Sequence, residues 1–172
     1  MEKIKKIYLN FFEVYSKLAG VINKICVNFG ILLLVAVTIV VLFTIFYRYL
    51  LGSSLRWGEE VARYLLIWLT LIVSSVAIKD REHISFTSIT DRLGKKTALI
   101  IEIILYIIIV TLLGLILKNS YMMVITRSIR KLSPAVQMNM LWPHSALPVG
   151  FAVIILQSVY IILEDIKELI KE

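Results

Sequence analysis

The chain has 172 residues, 59% of them apolar and 18% charged, with a formal net charge of +7 and one cysteine, Cys26. Soluble domains average about 45–50% apolar and about 25% charged residues, so a fold of this size has too small an interior to hide the excess. The composition therefore excludes a soluble enzyme, a disordered chain and a secreted domain held by disulfides. It predicts an integral membrane protein. The excess of basic residues then reflects topology and lipid contact instead of nucleic acid binding.

The first predicted element is an amphipathic helix over residues 1–24. Its apolar residues recur at three- and four-residue spacing and so share one helix face, namely Ile4, Ile7, Phe11, Val14, Leu18, Val21 and Ile25. Charged and polar residues lie largely opposite, which favours a helix lying on the membrane surface in contact with phospholipid. A soluble tail that packs on a partner is the alternative. We expect no cleavable signal peptide, because the apolar run is too long and no cleavage site follows it.

Four membrane spans follow, since crossing the hydrocarbon core takes about 20 largely apolar residues. They are predicted at residues 25–47, 57–78, 97–117 and 145–163. Each must be helical because lipid offers no partner for backbone N–H and C=O groups. The third span can continue as a helix to about Leu132, before Ser133 and Pro134 break it. The sequence therefore predicts an all-α integral membrane protein that forms a single membrane domain over residues 1–172.

The distribution of positive charge predicts the orientation of the chain. With four spans, both termini lie on one side of the membrane. Twelve of the 19 lysines and arginines fall in residues 1–24, in residues 79–96 and in the C-terminal tail, against seven on the other side. Because cytoplasmic segments carry the excess of positive charge, we expect both termini in the cytoplasm. The long apolar runs do not alternate, which excludes an outer-membrane barrel.

The densest charge group near a membrane boundary is Glu59, Glu60 and Arg63 at the start of the second span. Arg63 follows the two acids by four and three residues, so either acid can reach it on the helix surface. Arg48 is close, at the end of the first span. An ordinary interfacial ion pair, a polar contact with a partner subunit and an ion site are the alternatives. We expect a structural polar cluster, because no second group of carboxylates lies at mid-membrane to form a relay.

Other candidate residues have structural interpretations. Trp57 lies at a membrane boundary, where aromatic residues anchor helix depth, and Trp68 is deeper, where helix packing explains it better. Glu102 is the single acid inside the third span and is expected to make an intramembrane polar contact. The two histidines, His83 and His144, are predicted on opposite sides of the membrane and so cannot hold one haem iron. No catalytic, cofactor-binding or metal motif is present in the sequence.

Ordered motifs then indicate a family. Arg48-Tyr49 precedes the run Ser54-Leu55-Arg56-Trp57-Gly58-Glu59-Glu60-Val61-Ala62-Arg63-Tyr64, with Trp68 after it, and then come Arg81-Glu82-His83-Ile84 and Leu147-Pro148-Val149-Gly150. This series resembles the small membrane subunits (Q-type, DctQ-like) of tripartite ATP-independent periplasmic (TRAP) transporters over nearly the whole chain. The family often has glycine near Ser74 or Ser75, so local packing there is where this chain departs from the pattern.

The resemblance implies the small subunit of a sodium-gradient-driven transporter in the bacterial inner membrane. Its expected partners are a large multi-span subunit, which binds Na⁺ and moves substrate by an elevator motion, and a periplasmic binding protein that delivers an organic acid of the sialic acid or C4-dicarboxylate type. The small subunit would act as a scaffold, with no cofactor of its own and no enzymatic activity. The alternatives are an anchor subunit of another inner-membrane complex and a small membrane enzyme.

Overall fold

Long helices make up most of the molecule. The computed structural model describes residues 2–80 and 95–171, and these form α1 (Glu2–Leu50), α2 (Arg56–Lys79), α3 (Lys95–Met123) and α4 (Leu141–Lys171). A π-helical turn, Val124–Ser128, prolongs α3. All four helices are long and apolar enough to cross a membrane. The predicted all-α fold with four transmembrane helices is confirmed.

The helices form a row in the order α1, α2, α4, α3. Helix α4 packs on α2 along one side and on α3 along the other, and α1 packs mainly on α2. Within the described ranges, α1 and α3 do not contact each other. A row of this kind buries a thin core and leaves two broad faces, so many large apolar side chains are exposed to lipid or to a partner.

Helix α1 runs without a break through both the predicted surface helix and the predicted first span. At about 1.5 Å per residue its 49 residues measure about 73 Å, which is more than twice the hydrocarbon thickness. Its N-terminal third lies against α4: the Tyr15 hydroxyl donates to the Leu156 carbonyl at 2.8 Å. The Gln157 side-chain amide donates to the Ala19 carbonyl at 3.3 Å. These contacts hold α1 and α4 together near residues 15–19.

The face of α1 that packs is not the apolar face singled out from the sequence. The buried positions recur every seven residues, at Phe12, Ala19, Cys26 and Leu33. The predicted apolar face is instead more than half exposed at Phe11, Val14, Leu18, Val21 and Ile25. Lipid solvates large aliphatic side chains as well as a protein interior does, so helix contacts in membranes are selected by close fit and small residues.

The non-helical connection between α3 and α4 lies about four residues earlier in the chain than expected. The helical continuation of α3 ends at Ser128 and not near Leu132, and α4 begins at Leu141, before the predicted start of the fourth span at residue 145. Residues 129–140, the α3–α4 loop, close on themselves through two backbone bonds of 2.9 Å, from Ser133 N–H to Met138 O and from Met140 N–H to Lys131 O. Because these backbone groups bond to each other, their N–H and C=O groups have partners although this segment is not helical.

A tight turn brings the end of α1 beside the start of α2. Gly52 has a φ of 61°, in the left-handed region that glycine occupies at no steric cost, and it stands just after the last helical residue, Leu50. The turn places the last residues of α1 opposite the first two turns of α2. The candidate charges therefore meet at one end of the molecule, next to the α3–α4 loop.

Candidate functional site

A buried carboxylate joins α2 to the α3–α4 loop. Glu60 is 9% exposed. Its Oε2 accepts hydrogen bonds from the backbone N–H groups of Ala135, at 2.8 Å, and Val136, at 3.1 Å. Its Oε1 accepts a hydrogen bond from the hydroxyl of Tyr64, which lies one turn further along α2 and is itself buried. Three donors of the chain thus converge on one carboxyl group.

This arrangement stabilises the loop at one end of the helix row. Hydrogen bonds to an ionised acceptor are stronger than neutral ones, and consecutive backbone N–H groups form a natural binding site for an anion. The Tyr64 oxygen also lies 3.2 Å from the sulfur of Met140, so α2 contacts the loop at both Ala135–Val136 and the start of α4. We call Glu60 and these three donors the Glu60 clamp.

The neighbouring carboxylate, Glu59, forms an ion pair with Arg48 across the α1–α2 turn. The two side chains are 51% and 50% exposed, so water or headgroups screen the pair. The sequence had favoured Arg63 as the partner, but among the residues that the structure describes Arg63 forms no ion pair. The side chains of Arg48, Glu59 and Arg63 nevertheless line one recess. The structure therefore brings the predicted residues together with a different pairing.

A double-mutant cycle on the Arg48–Glu59 pair is expected to give a coupling below about 1 kcal/mol, because exposed ion pairs contribute about 0–1 kcal/mol. Arg48→Ala, Glu59→Ala and the double variant would be compared by thermal unfolding of the purified chain in detergent. The matched control is the Arg63–Glu59 cycle, which should be additive. Larger coupling in the control cycle would show that Arg63 is the true partner.

The remaining predicted site residues are Trp57, Trp68 and Glu102. Trp57 is 42% exposed at the start of α2, with its ring centroid 6.3 Å from that of Phe43. Trp68 sits between Phe29 of α1 and Trp142 of α4, at centroid distances of 6.2 and 6.1 Å, so its ring joins three helices. Glu102 is partly buried two turns into α3.

In the described part of the chain, His144 contacts a serine. His144 lies in the first turn of α4, where its Nδ1 is 2.7 Å from the hydroxyl of Ser128 at the end of the π-helical turn. This contact fastens α3 to α4. His83, together with the rest of the Arg81–Ile84 motif, lies outside the described residues. Within residues 2–80 and 95–171, no three His, Cys, Asp or Glu side chains are grouped to hold a metal ion.

Sequence reasoning missed the partners of Glu60. Tyr64 follows Glu60 by four residues, which is the spacing of neighbours on one helix face and could have indicated the contact. Ala135 and Val136 carry no comparable signal, because every residue except proline offers a backbone N–H group. Their position opposite Glu60 depends on how the α3–α4 loop folds. The Ser128–His144 contact was also missed, because it depends on how the α3–α4 loop folds.

Comparison with known proteins identifies the family. The model of the DctQ component of tripartite ATP-independent periplasmic transporters matches residues 37–168. The chain is 28% identical over 141 residues to SiaQ, the sialic acid TRAP transporter small permease protein of Vibrio cholerae, covering 77% of this chain and 76% of SiaQ. It is 32% identical over 126 residues to DctMQ, the isethionate TRAP transporter permease protein of Oleidesulfovibrio alaskensis.

The second relative is much longer than this chain. The match covers 69% of the chain but 20% of DctMQ, so most of DctMQ lies outside the shared region. The family model, in contrast, covers most of this chain and includes the Glu60 clamp, the Arg48–Glu59 pair, helices α2 and α3 in full and most of α4. The chain therefore belongs to the DctQ family: it is a small permease subunit of a TRAP transporter, a multi-pass inner-membrane protein and not an enzyme.

Proposed function

We propose that this chain is the scaffold subunit of a sodium-driven importer of an organic acid. In this proposal a large membrane subunit binds Na⁺ and substrate and moves the substrate by an elevator motion, and a periplasmic binding protein delivers the substrate. Sialic acid and C4-dicarboxylates are the proposed substrate classes. SiaQ is named for sialic acid and DctMQ for isethionate, so both relatives support an organic anion.

The observation that carries the scaffold role is the bonding of Glu60. Ionisable groups inside a membrane usually serve transport or pair with other protein groups. Both carboxylate oxygens of Glu60 are engaged by donors of this same chain, and they hold a loop in place. A carboxylate used in this way is not available to a moving ion or substrate. The proposal therefore assigns Na⁺ binding to the partner.

The similarity to DctMQ supports the large partner, because a chain of this kind occupies one fifth of that longer permease. The charge distribution supports an orientation with both termini in the cytoplasm. In that orientation the Glu60 end of the row faces the periplasm, where the binding protein would approach. The exposed apolar face of the N-terminal part of α1 would contact phospholipid in the cytoplasmic leaflet.

Reconstitution tests this function. The chain, the large membrane subunit and the binding protein from the same organism would be placed in proteoliposomes with an inward Na⁺ gradient and radiolabelled sialic acid, succinate or isethionate. We expect uptake with all three components and none with this chain alone. Replacing external Na⁺ by K⁺ should abolish uptake. Accumulation by the chain alone would contradict the scaffold role, and uptake that persists in K⁺ would contradict sodium coupling.

A further inference from the structure

A groove runs along the seam between α1 and α2 on one face of the helix row. It consists of two recesses of about 340 Å³ each. One recess lies at the Glu60 end of the seam and the other nearer the middle of the two helices. Their α2 residues, from Glu59 to Val76, recur at three- and four-residue spacing and so lie on a single face of that helix. We call these two recesses together the α1–α2 groove.

The groove contains an exposed cation, Arg63, inside the second predicted span. Arg63 lies seven residues past the start of α2, which corresponds to about 10 Å of helix rise. The nearby acid, Glu59, is already paired with Arg48, and in the described part of the chain no carboxylate pairs with Arg63. Charged side chains within membrane spans almost always face protein or a water-filled cavity, because facing lipid is costly. The groove therefore carries one positive charge in excess and needs a negative partner.

The groove also suits close approach by a helix. Its floor includes Gly30, Gly58 and Ala62, which are buried small residues where α1 and α2 approach each other, so part of the floor carries no large side chain. The exposed surface of α3 differs, since no charged residue occurs from Ile103 to Leu117. Lipid acyl chains can therefore cover the exposed surface of α3. Of these two exposed surfaces, the groove is the one that combines small residues with an unpaired charge.

We propose that the α1–α2 groove receives a transmembrane helix of the large membrane subunit, and that this helix places a carboxylate against Arg63. The proposal rests on the proposed function, which supplies the large partner. The positive charge of Arg63 favours an acidic group in the partner. The position of the two recesses along the seam favours an elongated occupant such as a helix. A phospholipid whose phosphate binds Arg63 is the alternative occupant, and the experiment separates it from a helix.

Site-specific photocrosslinking locates the partner. The crosslinking amino acid p-benzoylphenylalanine would replace Leu34 or Leu66 in the groove, in a chain co-expressed with its large membrane subunit. Leu112 and Leu115 on α3 are matched controls, because all four leucines are about half exposed. We expect protein adducts with the large subunit from the groove positions and none from the α3 positions. Protein adducts from α3 alone, or lipid adducts alone from the groove, would overturn the proposal.

A charge reversal tests the role of Arg63. We expect Arg63→Glu to lower the recovery of the large subunit with the tagged chain by about tenfold or more, since like charges then meet at the contact. Arg127→Glu reverses another exposed cation outside the groove and should change recovery by less than about twofold. Circular dichroism of each isolated variant checks that the helices still form. Equal recovery of the folded Arg63→Glu and Arg127→Glu variants would overturn the groove assignment.

The controls separate this inference from the proposed function. If the wild-type chain assembles with the large subunit and supports uptake, but crosslinks only through α3, the groove assignment alone is wrong. If the wild-type chain neither assembles nor supports uptake, the partner itself is wrong and both proposals fall.

Discussion

Glu60→Ala is expected to lower the apparent melting temperature of the purified chain by more than about 5 °C, because it leaves two backbone N–H groups and the hydroxyl of the buried Tyr64 without their acceptor. Glu60→Gln should have a smaller effect. Its amide oxygen can still accept from Ala135 and Val136, and its NH₂ group can donate to Tyr64, so only the charge is lost. The expected order of destabilisation is Glu60→Ala, then Glu60→Gln, then Glu59→Ala.

Two measurements check this prediction. Thermal unfolding in detergent compares Glu60→Ala with Glu59→Ala, a neighbouring carboxylate that is half exposed and paired across the turn. Hydrogen–deuterium exchange should show faster exchange of the Ala135 and Val136 amides in Glu60→Ala, with the centre of α4 unchanged. Equal melting temperatures and unchanged amide protection would show that the α3–α4 loop does not depend on Glu60.

Gly150→Ala is expected to destabilise the chain by about 1–3 kcal/mol through overpacking of α2 against α4. A Cβ atom at this position would lie 2.6 Å from the Cβ of Leu71 and 3.1 Å from its Cδ1. The Leu71 Cβ is bonded directly to the backbone, so no rotamer change can move it away. The two helices must separate, and the contacts between α2 and α4 on either side of this point weaken.

Gly114→Ala is the matched control for this prediction. Gly114 lies within α3, and no atom would come within 4 Å of an added Cβ. The same glycine-to-alanine change there should be neutral or should stabilise the chain by up to about 1 kcal/mol, since alanine favours a helix more than glycine does. Thermal unfolding of both variants in one detergent isolates the packing effect. Equal stability of the two variants would contradict close packing at Gly150.

Local pattern was sufficient to predict the number of spans and the site of the charge cluster. Each span is a run of about 20 apolar residues, and that property belongs to a continuous stretch of chain. Arg48 and Glu59 are separated by a short turn between two predicted helices, so their proximity also followed from order along the chain. The helix bounds differ from the predicted span bounds: α4 begins at Leu141, before the predicted residue 145, because a helix can extend beyond the part that crosses the hydrocarbon core.

By itself, the amino-acid sequence determined an all-α membrane protein of the DctQ type, because hydropathy and motif order are properties of the linear chain. The tertiary structure decided which side of α1 packs and which donors bind Glu60. Lipid accommodates apolar side chains as readily as a protein interior, so hydrophobicity does not distinguish a packed face such as Phe12 and Ala19 from an exposed one. The donors at Ala135 and Val136 are backbone groups 75 and 76 residues away, and only the folded path of the chain brings them to Glu60.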